Sequence, residues 1–124
     1  MSMNVFITGA SSGIGAALAR EFASRGATLG LMARRQEALD ELIKTLPNSE
    51  RHHSYACDVT DRLKLIELAR QFDSTVGGAD IVIANAGISV GVKTQYFEDL
   101  EVMEKVYATN VFAMASTFHA FIEP

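Results

Sequence analysis

The residues able to do chemistry concentrate in Thr8-Gly9-Ala10-Ser11-Ser12-Gly13-Ile14-Gly15. Its glycines answer three separate needs: a tight turn off a strand, close approach of backbone to a pyrophosphate, and close packing of a helix on a strand. A helix starting here would point unpaired N–H groups and a positive dipole end at bound phosphate. The hydroxyls of Ser11 and Ser12 add donors. Taken alone, such glycines also suit a flexible turn, so their meaning depends on what flanks them.

Asn4–Thr8 is a short apolar run that reads as a buried strand. From Ser12 the pattern becomes helical, with Ile14, Leu18 and Phe22 predicted on one face and Gly26 as the stop. A second strand is expected over 27–33 and a helix over 35–46, ended by Pro47-Asn48. Residues 52–57 form a weaker third strand, and Thr60 is the expected N-cap of a helix over 61–73. Gly77-Gly78 breaks the chain before a fourth apolar strand, Ile81–Ala84. After a loop through Gly87 and Gly91, residues 98–122 read as one long helix. Apolar strands alternating with helices imply parallel βαβ units, a doubly wound α/β fold of about four strands. The glycine loop therefore lies between a strand and an amphipathic helix, where phosphate binding is its natural role.

Composition narrows the rest. The chain has 124 residues, 48% hydrophobic and 21% charged, enough for one folded domain over 1–124 and unlike a disordered chain. Eleven basic against fifteen acidic residues give a net charge of −4 with no basic face, which argues against nucleic acid as a partner. Cys57 is the sole cysteine, so neither an intrachain disulfide nor a Cys-based zinc site is expected. The start lacks the basic and apolar pattern of a signal peptide. No apolar run approaches the ~20 residues of a membrane helix. A cytoplasmic location without membrane contact is the expectation.

The spacing Thr-Gly-x-x-x-Gly-x-Gly resembles the fingerprint of the short-chain dehydrogenase/reductase family, and three further matches follow in order. Asp58, in Cys57-Asp58-Val59, stands where the family places an Asp on the adenine. Asn85-Ala86-Gly87 is similar to the family's Asn-Asn-Ala-Gly, with Ala84 in place of the first Asn. Asn110, in Ala108-Thr109-Asn110-Val111, matches the Asn that holds a proton-relay water. The resemblance implies a Rossmann-type sheet binding a dinucleotide through Gly9, Ser11, Ser12, Gly13, Ile14, Gly15, Asp58, Val59, Asn85, Ala86 and Gly87. It gives Asn110 a catalytic role. The same residues have plainer uses: Asp58 as a turn residue, Asn85 as a tie between loops, Asn110 as an exposed side chain.

Folds that prefer NAD carry an acidic residue at the end of the second strand, on the ribose 2′-hydroxyl. Here that strand ends in Ala33-Arg34-Arg35. Two guanidinium groups suit a 2′-phosphate, and the expected cofactor is NADP(H), held by Arg34 with help from Arg35. A solvated helix start is the alternative for both.

The family's Tyr-x-x-x-Lys acid/base pair is absent: the fourth residue after Tyr55, Tyr96 and Tyr107 is Val59, Leu100 and Val111. In the family that pair and its Ser lie beyond Asn110. The chain is therefore expected to be the amino-terminal, cofactor-binding part of an oxidoreductase on a carbonyl/alcohol substrate, inactive alone. A non-catalytic nucleotide-binding or interaction module is the alternative. A methyltransferase or sugar-nucleotide epimerase fits the loop spacing less well. Substitutes for the missing pair are weak. His52 and His53 would point to opposite strand faces, one of them to solvent. His119 lacks ligand partners, Cys57 reads as a small buried residue, and no metal is expected. Self-association is expected, through helix 98–122 or an unpaired sheet edge.

Overall fold

A computed structural model describes residues 3–87 and 97–122. Four strands, β1 Asn4–Thr8, β2 Thr28–Ala33, β3 His53–Ala56 and β4 Ile81–Ala84, pair in parallel in the order β3-β2-β1-β4. The helices are α1 Gly13–Ser24, α2 Gln36–Lys44, α3 Arg62–Val76, α4 Phe97–Tyr107 and α5 Ala113–Ile122. The doubly wound layout is as expected. Because β2 and β4 flank β1 on opposite sides, the strand order reverses at β1/β4. A crevice opens at their carboxyl ends.

Side-chain alternation along the strands builds two core layers. Val5, Ile7, Leu29 and Leu31 face α1 and α2, joining Ala16, Ala19, Leu39 and Leu42. Phe6, Met32 and Tyr55 face the other way, against Leu65 and Phe72 of α3 and Ala113 and Ala120 of α5. Gly30 pairs in register with Phe6, and a Cβ on it would come within 2.6 Å of the Phe72 ring. The missing side chain lets Phe72 lie over the sheet, 5.5 Å from Phe6 between ring centres.

Several expected details change. The buried positions of α1 are Gly15, Ala16, Ala19 and Ala23, while Ile14 is 71% exposed. Helix and sheet approach so closely that small residues fill the contact; Leu18 and Phe22 pack at its margin. Asp61, not Thr60, caps α3, its carboxylate accepting from Lys64 N–H at 3.4 Å. Thr60 is instead turned to Asp58, to whose Oδ1 its hydroxyl and N–H donate at 2.7 and 3.0 Å.

The expected helix over 98–122 is interrupted by a π turn, Ala108–Phe112, which carries Asn110. An Asn amide competes for backbone groups within a helix, and π turns recur at functional sites.

His52 does not face solvent. Its ring is buried just before β3, where Nδ1 accepts from Leu29 N–H at 3.2 Å. That leaves Nε2 to donate to the Pro47 carbonyl at 2.9 Å. His53 is half-buried, edge-on to Phe72.

Candidate dinucleotide site

The site is built on the end of β1. Thr8 is 1% exposed, and its hydroxyl accepts from the N–H groups of Asn85 and Ala86, each at 3.1 Å. Asn85 Nδ2 donates in turn to the Gly9 carbonyl at 3.2 Å. The two segments leaving the switch point are thus tied together. Gly9 has φ +63°, and a Cβ there would lie 2.8 Å from the Ala86 Cα. A Cβ on Gly15 would collide with the Gly9 carbonyl oxygen. Gly13, at φ +57°, has nothing within 4 Å of a Cβ, so its backbone is open to a ligand.

Ser12 stands at the N-cap of α1 without a side-chain cap bond, and the first turn carries no acidic residue. The helix end therefore keeps its positive character toward an anion. Gly9 and Gly15 let the loop pack closely, and the first turn of α1 offers N–H groups that no side chain caps, as an anion at a helix N-terminus requires.

Beside the loop lies a cleft of about 220 Å³. Gly9, Ser11 and Ser12 line it from β1, Ala33 and Arg34 from the end of β2, and Cys57 through Thr60 from the end of β3. Ala86 and Gly87 close it beyond β4, and Lys105 and Thr109 cover it from the helix side. The hydrogen bonds from Thr60, hydroxyl first and N–H second, hold the Asp58 carboxyl below its ordinary pKa. Arg34 and Lys105 add to the same effect. Burial pushes the Cys57 thiol up to about 11.

Comparison with known proteins gives the same assignment. The family described as short chain dehydrogenase matches residues 3–124. The chain belongs to the short-chain dehydrogenase family. It is 38% identical over 120 residues to human epidermal retinol dehydrogenase 2, covering 95% of this chain and 38% of that protein. A short-chain dehydrogenase from Streptomyces avermitilis superposes with TM-score 0.87 at 31% identity, over 98% of this chain and 44% of the other. An alcohol dehydrogenase from Thermococcus sibiricus, solved with 5-hydroxy-NADP, superposes with TM-score 0.88 at 27% identity. That match covers 98% of this chain and 52% of the other. The chain thus spans about half the length of these relatives or less.

As the sheet order requires, the glycine loop stands at the switch point, beside the segment that leaves β4. The structure brings Gly9, Ser11, Ser12, Arg34, Asp58, Val59, Ala86 and Gly87 into one cleft. Gly13, Gly15 and Asn85 act as loop geometry beside it, and Ile14 is exposed at the helix start. Arg35 stands exposed at the N-cap of α2 and is not part of the cleft lining. Asn110 approaches Gly87, where a Cβ would lie 3.1 Å from its Oδ1. The π turn thus faces the Asn85-Ala86-Gly87 segment.

Sequence reasoning did not single out Thr60, Lys105 or Thr109 for the cleft. The one available clue was the spacing of Lys105 and Thr109, which share a helix face just before Asn110. Among the described residues no cluster of three or more His, Cys, Asp or Glu could hold a metal ion. No described helix is long and apolar enough to cross a membrane.

Proposed function

We propose that this chain is the NADP(H)-binding part of an oxidoreductase that interconverts a carbonyl and an alcohol. The observation that carries the cofactor choice is Arg34, which lines the cleft at the end of β2, where an NAD-preferring fold would place a carboxylate. A guanidinium there forms forked, charge-assisted bonds with a 2′-phosphate. Such a bond contributes about 1.5–3 kcal/mol, roughly a ten- to hundredfold preference over NAD(H). The Ser11 and Ser12 hydroxyls and the α1 N-terminus take the pyrophosphate, and Asp58 takes the adenine. The nicotinamide, when bound, supplies or accepts the hydride. Asn110 positions a water for the proton that accompanies it.

The 124 residues hold no Tyr-x-x-x-Lys. We propose that the chain by itself binds cofactor without reducing a carbonyl. That absence also favours a second reading, a nucleotide-binding module without chemistry. A reading frame running past Pro124 into Tyr-x-x-x-Lys would decide for the first.

The test is fluorescence titration with NADPH and NADH, followed by a carbonyl-reduction assay. The expected result is tighter binding of NADPH, no turnover, and collapse of the preference in Arg34→Asp. An unchanged NADPH/NADH ratio in that variant rules the assignment out.

Self-association is the remaining proposal. Leu100, Tyr107 and Phe112 are exposed along an apolar groove of α4 and the π turn, and among the described residues β4 is an edge strand of the sheet. Sedimentation velocity should show a dimer or larger species, and a strict monomer would refute it.

A further inference from the structure

Two cations from different walls share the cleft with Asp58. Arg34 comes from the end of β2 and Lys105 from α4, and both favour the ionised Asp58 carboxylate. Among the described residues neither is in salt-bridge contact with it, and both side chains are exposed. Asp58 instead takes its hydrogen bonds from Thr60. Among the described residues the cleft lining therefore holds two cations and one carboxylate, a locally positive spot on a chain of net charge −4. Its position matters. The helix end and the serine hydroxyls serve the pyrophosphate at the β1 side, whereas Arg34 and Asp58 stand beyond β2 and β3, the adenosine end, and Lys105 lines the same cleft from α4.

We propose that Lys105 is a second cofactor-contacting cation, which with Arg34 holds a phosphate on the adenosine ribose and so sets cofactor choice. The inference rests on the NADP(H) reading above. The two groups are complementary. A guanidinium binds phosphate through a planar fork, and an ammonium on a flexible stem meets the same anion as a point charge from the other wall. Helix geometry supports the placement, because Lys105 lies one turn before Thr109, which lines the same cleft. The competing role for Lys105 is to offset the Asp58 charge, which would help every adenosine ligand equally.

Calorimetric titration with 2′,5′-ADP and 5′-ADP separates the two roles, using the wild-type chain, Lys105→Met, Lys105→Arg and Arg34→Met. Lys105→Met should weaken 2′,5′-ADP by about three- to tenfold, the loss of one solvent-facing charged contact. It should leave 5′-ADP unchanged, and Lys105→Arg should restore most of the loss. Equal weakening of both probes, or of neither, overturns the role of Lys105. If Arg34→Met alone loses selectivity, the NADP(H) reading stands and only this inference fails. If the wild-type chain binds both probes alike, or neither, the NADP(H) reading itself falls and this inference with it.

Discussion

The Gly9 carbonyl oxygen occupies the space a side chain at Gly15 would need. Gly15→Ala should therefore push the loop off the helix and cost about 1–3 kcal/mol, as overpacking does. It should also abolish measurable NADPH binding. Gly13→Ala meets no neighbour and pays only for its positive φ, about 1–2 kcal/mol. Urea unfolding of the two variants, each paired with a cofactor titration, compares clash with backbone strain.

Thr8→Val keeps the shape at the end of β1 and removes the acceptor shared by Asn85 N–H and Ala86 N–H. Unsatisfied donors of this kind should cost about 1–3 kcal/mol. Thr8→Ser retains the hydroxyl and should stay close to wild type. A Thr8→Val midpoint equal to wild type in urea would show that the tie is not needed.

Stability should depend on pH through His52. Burial, with help from neighbouring Arg51 and His53, lowers its pKa from 6.5 and outweighs the Pro47 carbonyl and Glu50. The folded chain keeps the ring neutral, since Nδ1 must accept from Leu29 N–H. The unfolded chain takes up the proton first. The contribution is fully present above about pH 6.5 and is lost as pH falls through the lowered folded value. In His52→Gln, unfolding free energy between pH 7.5 and pH 5.5 should fall less than in wild type. An unchanged slope would exclude His52 as its source.

Cys57 should be nearly inert in the folded chain. Its thiol is pushed up to about 11 from 9.0, and its Sγ donates to the Asp58 carbonyl at 3.3 Å. Alkylation at pH 8 should be at least about a hundredfold slower than in urea, because the thiolate is the reacting form. Mass spectrometry of iodoacetamide-treated samples measures the ratio.

The glycine loop was legible because each of its glycines meets a local requirement. The strand order follows from parallel βαβ connections, which leave few alternatives. Lys105 was not legible: its place in the cleft depends on which face of α4 meets the sheet. The π turn at Asn110 was hidden inside a continuous helical pattern. Ile14 misled because apolar periodicity marks the face that tends to bury, whereas the closest helix–sheet approach accepts only Ala and Gly.

The amino-acid sequence by itself determined the fold class, the glycine loop between β1 and α1, the family and the absence of Tyr-x-x-x-Lys within these residues. Those properties rest on short-range patterns and on glycine sterics, which act over a few residues. Only the tertiary structure decided that Arg34, Asp58 and Lys105 share one cleft, that Thr8 ties Asn85 and Ala86 to β1, and that His52 is buried. Such contacts join residues far apart in the chain. Packing of helices on a twisted parallel sheet sets them, and no local spacing encodes it.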